Sequence, residues 1–172
     1  MTQAHIIIGK SKTVSVTKAL AAAGNYADND VLSESATTGT AWTFSAIVPA
    51  NGGTGAIVKA VVLCETTALT PQLTLFLFSA TPTCALNDNV ANTAVLHADE
   101  ANYIGKIDFA ALEDLGTGDS DAIRVSGVGN LPLDFECATG DNALYGVVVT
   151  RDAITGEAAG EDLIIKLTVR SD

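Results

Sequence analysis

The residues best equipped for chemistry in this chain are few and scattered. There are two histidines, His5 and His97, three cysteines, Cys64, Cys84 and Cys137, and several short runs of Asp and Asn. Nucleophilic catalysis needs a base beside the nucleophile. His5 sits in a terminal segment, so that base would have to be His97, beside Leu96, Ala98 and Asp99, and no Gly-x-Ser-x-Gly elbow presents a serine. Two histidines fall short of a three-ligand zinc site unless carboxylates complete it. Gly9-Lys10-Ser11 ends like a phosphate loop, but Ala4 stands where the first glycine belongs. Gly52-Gly53-Thr54-Gly55 and Gly116-Thr117-Gly118 complete no dinucleotide fingerprint and are read as turns. Asp28-Asn29-Asp30, Asn87-Asp88-Asn89 and Asp119-Ser120-Asp121 offer calcium-type oxygens, yet none runs on into a loop with Gly sixth and Glu twelfth. Asp and Asn also initiate turns by bonding nearby backbone, which is the simpler role for these runs. Asp99-Glu100 and Glu113-Asp114 are adjacent in sequence and point apart, so neither makes a glycosidase pair. The expectation is a non-enzyme with no catalytic residue, cofactor or metal.

The elements that would position any site are strands. Leu163, Ile165, Leu167 and Val169 alternate with polar residues, as do Val14 and Val16, and Trp42, Phe44 and Ala46. Residues 57–64 and 73–78 are apolar on both faces, which calls for cover by a second layer or a neighbouring subunit. Further strands are expected at 26–33, 105–109, 122–128, 133–137 and 143–151, with turn chemistry between them. A helix is plausible at 98–103, where Asp99 could cap it, with a turn at 110–115; the alanine run 19–23 is too short for one. The long connection 81–102 is either a sheet-to-sheet crossover or a loop that reaches over a neighbour. Eight to ten short strands predict an all-β, two-sheet β-sandwich, jelly-roll-like, ahead of an immunoglobulin-like order or a closed barrel.

At 172 residues the chain is expected to form one domain. Nine basic and twenty acidic residues give a net charge of -11, which argues against nucleic acid as a partner. The charge is uneven: residues 1–20 carry Lys10, Lys12 and Lys18 and no acid, leaving -14 for the rest. Residues 1–20 are therefore read as a basic, apolar N-terminal arm or a first edge strand, and 21–172 as the sandwich domain. No secretory signal and no membrane-crossing apolar stretch are apparent, so no membrane partner is expected. Three widely spaced cysteines fit neither a disulfide framework nor a zinc ribbon and are expected to be buried thiols, made in a cytoplasm.

One resemblance covers most of the chain from Gly24 onward. The run Asn25-Tyr26-Ala27-Asp28-Asn29-Asp30-Val31-Leu32-Ser33, then Trp42-Thr43-Phe44, Gly52-Gly53-Thr54-Gly55-Ala56-Ile57 and Leu73-Thr74-Leu75-Phe76-Leu77-Phe78, resembles small virion proteins of tailed bacteriophages. It continues through Pro82 and Asn87-Asp88-Asn89 to Leu144-Tyr145-Gly146 and the last strand. These motifs are structural, not catalytic. The resemblance implies a capsid decoration, or cement, protein on the virion surface that binds the major capsid protein, with a homotrimer favoured. In that role Ile6, Ile7 and Ile8 would anchor apolar contacts in a partner, Lys10, Lys12 and Lys18 would meet acidic surfaces, and Trp42 would be core or subunit contact. The alternative is a tail- or head-fibre module that binds a receptor or carbohydrate, for which Trp42 is the available aromatic platform.

Overall fold

The structure is a computed structural model and describes residues 10–21, 24–66, 69–157 and 159–171. In chain order the strands are β1 (Lys10–Ala19), β2 (Gly24–Tyr26), β3 (Val31–Leu32), β4 (Trp42–Phe44), β5 (Thr54–Cys64) and β6 (Gln72–Phe78). There follow β7 (Tyr103–Ala111), β8 (Ser120–Val125), β9 (Leu133–Glu136), β10 (Leu144–Thr150), β11 (Ile154–Glu157) and β12 (Asp162–Ser171). All pairings are antiparallel. One sheet runs β1-β12-β5-β8, with β9 continuing β8's side of β5; the other runs β3-β10-β6-β7, with β4 continuing β3's side of β10. Taking β3/β4 and β8/β9 each as one position, and setting aside β2 and β11, which form a separate two-stranded sheet, the eight remaining positions read 1-8-3-6 in the first sheet and 2-7-4-5 in the second. That is the order of a jelly roll.

Alternation explains the core. In β12 the residues Leu163, Ile165, Leu167 and Val169 are buried against Ile57, Val62 and Cys64 of β5 and against the second sheet's Trp42, Phe44, Leu73, Leu75, Leu77 and Leu144. A bulge between Thr168 and Val169 lets β5 fit one extra residue, Val58, without flipping the buried face of the rest. Gly146 lies where β10 passes under this core, and a side chain there would press on Leu75 and Phe44.

Two expectations are corrected and one alternative is resolved. There are twelve strands among the described residues, because the single strand expected over 26–33 is broken into β2 and β3 by the turn at Asn29, whose φ is 68°, and because β11 pairs with β2. The helix expected at 98–103 is a single 3-10 segment, His97–Asn102, with Asp99 buried in it and not capping its start. Of the two readings of residues 1–20, the edge strand holds over the described part: all ten residues of β1 pair with β12 at the edge of the first sheet, from Lys10 opposite Ser171 to Ala19 opposite Asp162.

Candidate functional site

The residues expected to touch a partner fall into three groups. Ile6, Ile7 and Ile8 lie outside the described residues. Lys10 is exposed at the start of β1. Lys12 and Lys18 point to the inner side of β1, where the two sheets meet at the open edge of the sandwich. Lys12 Nζ donates to the carbonyl of Ala46, and Lys18 Nζ donates to the Glu34 carboxylate and to the carbonyl of Thr40. Lys18 is 8% exposed and sits 5.5 Å from the centroid of the Trp42 ring. Trp42 is 1% exposed and spends its Nε1–H on the carbonyl of Leu32 at 3.0 Å.

Lys18 and Trp42 are therefore used within the chain: Trp42 takes the core place of the two expected for it, and Lys18, expected to meet an acidic partner, meets Glu34. An edge strand beside an open seam leaves carbonyls of the facing sheet unpaired, and a long cation on the strand's inward face can reach them. Both signals, a basic segment and an aromatic in an alternating strand, have this internal use. Burial pulls the Lys18 ammonium below its ordinary pKa, against the opposing pull of Glu34. Burial pushes the Glu34 carboxyl up, but hydrogen bonds from Lys18, Thr40 and Ser33 outweigh it and hold Glu34 at about 2.

The groups that suggested chemistry are used by the fold. His97 is exposed and lies 3.0 Å from Glu100. Asp30 accepts the backbone N–H of Ala27 at 2.7 Å, and Asp88 that of Ser33 at 2.7 Å together with the Tyr26 hydroxyl. Asp99 accepts the backbone N–H groups of Thr83 and Cys84. These Asp runs act as turn and anchor residues. Among the described residues no three His, Cys, Asp or Glu side chains cluster as metal ligands, and no helix is long and apolar enough to cross a membrane. All three cysteines are buried thiols, as expected. Burial, and then the charge of Asp99, push the Cys84 thiol up to about 11; burial and Asp141 do the same for Cys137.

The sheets differ in what covers their outer faces. On the second sheet Val31, Phe76, Phe78, Val147 and Val149 are buried under Cys84, Ala85, Leu86, Ala94 and Val95 of the connection between β6 and β7. That connection is tied down by backbone bonds from Val31 N–H to Val90 O and from Asn89 N–H to Val31 O, both 2.9 Å, and by Asp88. The chain thus supplies its own cover for the doubly apolar strand β6, and the long connection does not reach away to a neighbour.

On the first sheet the outer face has no such cover among the described residues. Reading across strands β1, β12, β5 and β8 by register gives rows of outward residues: Thr17, Ile164, Leu63, Asp121; then Ser15, Lys166, Val61, Ile123; then Thr13, Thr168, Lys59, Val125. A last row is Ser11, Arg170, Ala56 and, on β9, Asp134. Ile123 and Val125 are 52% and 44% exposed, with Val128 beyond them at 49%. One side of this face is a column of hydroxyls, the other is apolar, and Arg170, Lys59 and Lys166 run between them. None of these three cations is in an ion pair among the described residues. Among the described residues this is a distinctive surface; the sequence called for Val61 and Leu63 to be covered by a second layer or a neighbouring subunit, but not for the cations and exposed Ile123 and Val125 beside them. Compared with known proteins, the chain matches no family model and no curated protein sequence.

Proposed function

We propose that this chain is a non-enzymatic structural protein of a tailed-phage virion, a capsid decoration protein that binds the major capsid protein on the outer surface of the shell as a homo-oligomer, with a trimer favoured. The observation that carries the reading is the outer face of the first sheet: among the described residues one sheet is covered by the chain itself and the other is not, and apolar residues exposed on that face make a surface suited to association. The resemblance of residues from Gly24 onward to small virion proteins supplies the setting. The jelly-roll order is compatible, but capsid and lectin domains share it, so it does not choose between them. A carbohydrate module is not favoured, because Trp42 is buried and offers no stacking face.

Binding to a finished lattice adds interface free energy to the assembled shell and so raises its resistance to heat or chelators without any reaction. The test is co-sedimentation of the purified protein with expanded, undecorated shells of the encoding phage. The expected result is saturable binding and a shell that disrupts at higher temperature. Absence of the protein from purified particles, together with no binding to such shells, would overturn the reading. Deleting residues 1–8, which stops short of β1, asks whether Ile6, Ile7 and Ile8 take part; weaker shell binding with unchanged folding is expected.

A further inference from the structure

The sheet-to-sheet connection between β7 and β8 is the acidic, apolar counterpart of the first sheet's outer face. Residues 113–119 are all exposed and carry Glu113, Asp114 and Asp119 around Leu115, which is 55% exposed. The tip has a set shape. Glu113 and Asp121 exchange backbone bonds at 2.6 and 3.1 Å at its base, and Asp114 Oδ1 accepts the Gly116 N–H at 2.8 Å. Nothing stands within 4 Å of a side chain placed at Gly116 or Gly118, so the tip projects into open space.

We propose that this chain associates with itself head to tail, the 113–119 tip of one copy docking on the outer face of the first sheet of the next. Leu115 covers the apolar residues Val61, Ile123 and Val125, and the carboxylates Glu113, Asp114 and Asp119 meet Lys59 and Lys166. Two copies packed through the same face would bring the central cations against each other, with the carboxylates Asp121 and Asp134 left at the corners of the face. Like charges at the centre of an interface are strongly disfavoured, whereas tip against face pairs opposite charges and apolar with apolar. A preformed tip also loses little conformational freedom on docking. A contact of this kind is heterologous and closes into a ring when the rotation allows. The proposal deepens the homo-oligomer part of the reading above and names its surfaces.

The experiment is sedimentation velocity of the full chain over a wide dilution series, with two charge variants. Lys59→Glu/Lys166→Glu makes both surfaces acidic, and Glu113→Lys/Asp114→Lys/Asp119→Lys makes the tip basic toward the basic face. The wild-type protein is expected to self-associate, each variant to do so about tenfold more weakly or worse, and an equimolar mixture of the two to recover association. All substituted positions are on the surface, and far-ultraviolet circular dichroism checks that the variants fold; Leu115→Ser is a further, uncharged disruption of the tip. A wild-type chain that stays monomeric overturns the proposal, as do variants that associate like wild type or a mixture that fails to recover. The outcome is separate from shell binding: a monomer that binds shells overturns only this proposal, and an oligomer that binds none overturns only the virion reading.

Discussion

The two sheets of this jelly roll treat their outer faces in opposite ways. The second buries Phe76, Phe78, Val147 and Val149 beneath the connection between β6 and β7, so β6 and β10 are interior strands in every sense. The first leaves Val61, Leu63, Ile123, Val125 and Ile164 outermost, with β8's pair most exposed. Apolar residues on an outward face therefore meet two different surroundings within one chain: on one sheet they are packed beneath the chain's own cover, and on the other they stay half-buried or exposed. An apolar face left exposed is the kind of surface that serves association.

The sharpest way to break this contrast is to truncate equivalent outward positions. Phe78→Ala, on the covered sheet, is expected to lose about 3–5 kcal/mol of stability in urea unfolding, as for a core phenylalanine. A loss near zero would mean that the connection does not form a second core. Gly39 tests the same cover from the other side. Its N–H donates to Asn87 Oδ1 at 2.9 Å, and a methyl there would fall on the carbonyl of Leu86, so Gly39→Ala is expected to cost about 1–3 kcal/mol by displacing the connection.

The seam between the sheets gives a pH-dependent prediction of smaller size. Glu34 is held at about 2, against an ordinary value of 4.5. Its contribution is thus fully present above about 4.5 and is lost as the pH falls toward 2. In Glu34→Gln the protein should be less stable at neutral pH, and its stability should fall less steeply over that acid window; an unchanged slope would remove Glu34 from the acid response. The smallest effect is expected on the bare sheet, where Ile123→Ser should change stability by no more than about 0.5 kcal/mol while weakening association. A large loss of stability there would show that the uncovered face contributes to folding after all.

Much of the fold was legible because alternation is local. Leu163 to Val169 and Trp42 to Phe44 declare their buried faces within a few residues, and eight to ten short strands put a jelly roll ahead of an immunoglobulin-like order or a closed barrel. What was not legible depends on distant partners. Val61 and Phe76 look alike in sequence, and only the placement of residues 84–95 over one sheet distinguishes them. Lys18 looked like a contact for an acidic partner, and its acidic partner is Glu34 of the same chain. The short strand β11 was hidden in a Gly-containing stretch that reads as a turn, because its pairing with β2 depends on a segment well over a hundred residues away. The exposed tip at 113–119 was visible as a pair of adjacent acids, but its complement, Lys59 with Lys166, is assembled only by the register of β5 against β12.

The place of β12 also orders events during synthesis. It is the last strand, yet it lies between the first strand, β1, and β5, and pairs with both along their length. Until residues 162–171 have been made, β1 has no pairing partner and one edge of β5 is open, so the second sheet can form before the first sheet closes. Such late, long-range closure favours slow folding and exposes an unpaired strand edge meanwhile. Fused or stalled chains that withhold β12 should therefore accumulate as aggregates rather than as a smaller folded domain.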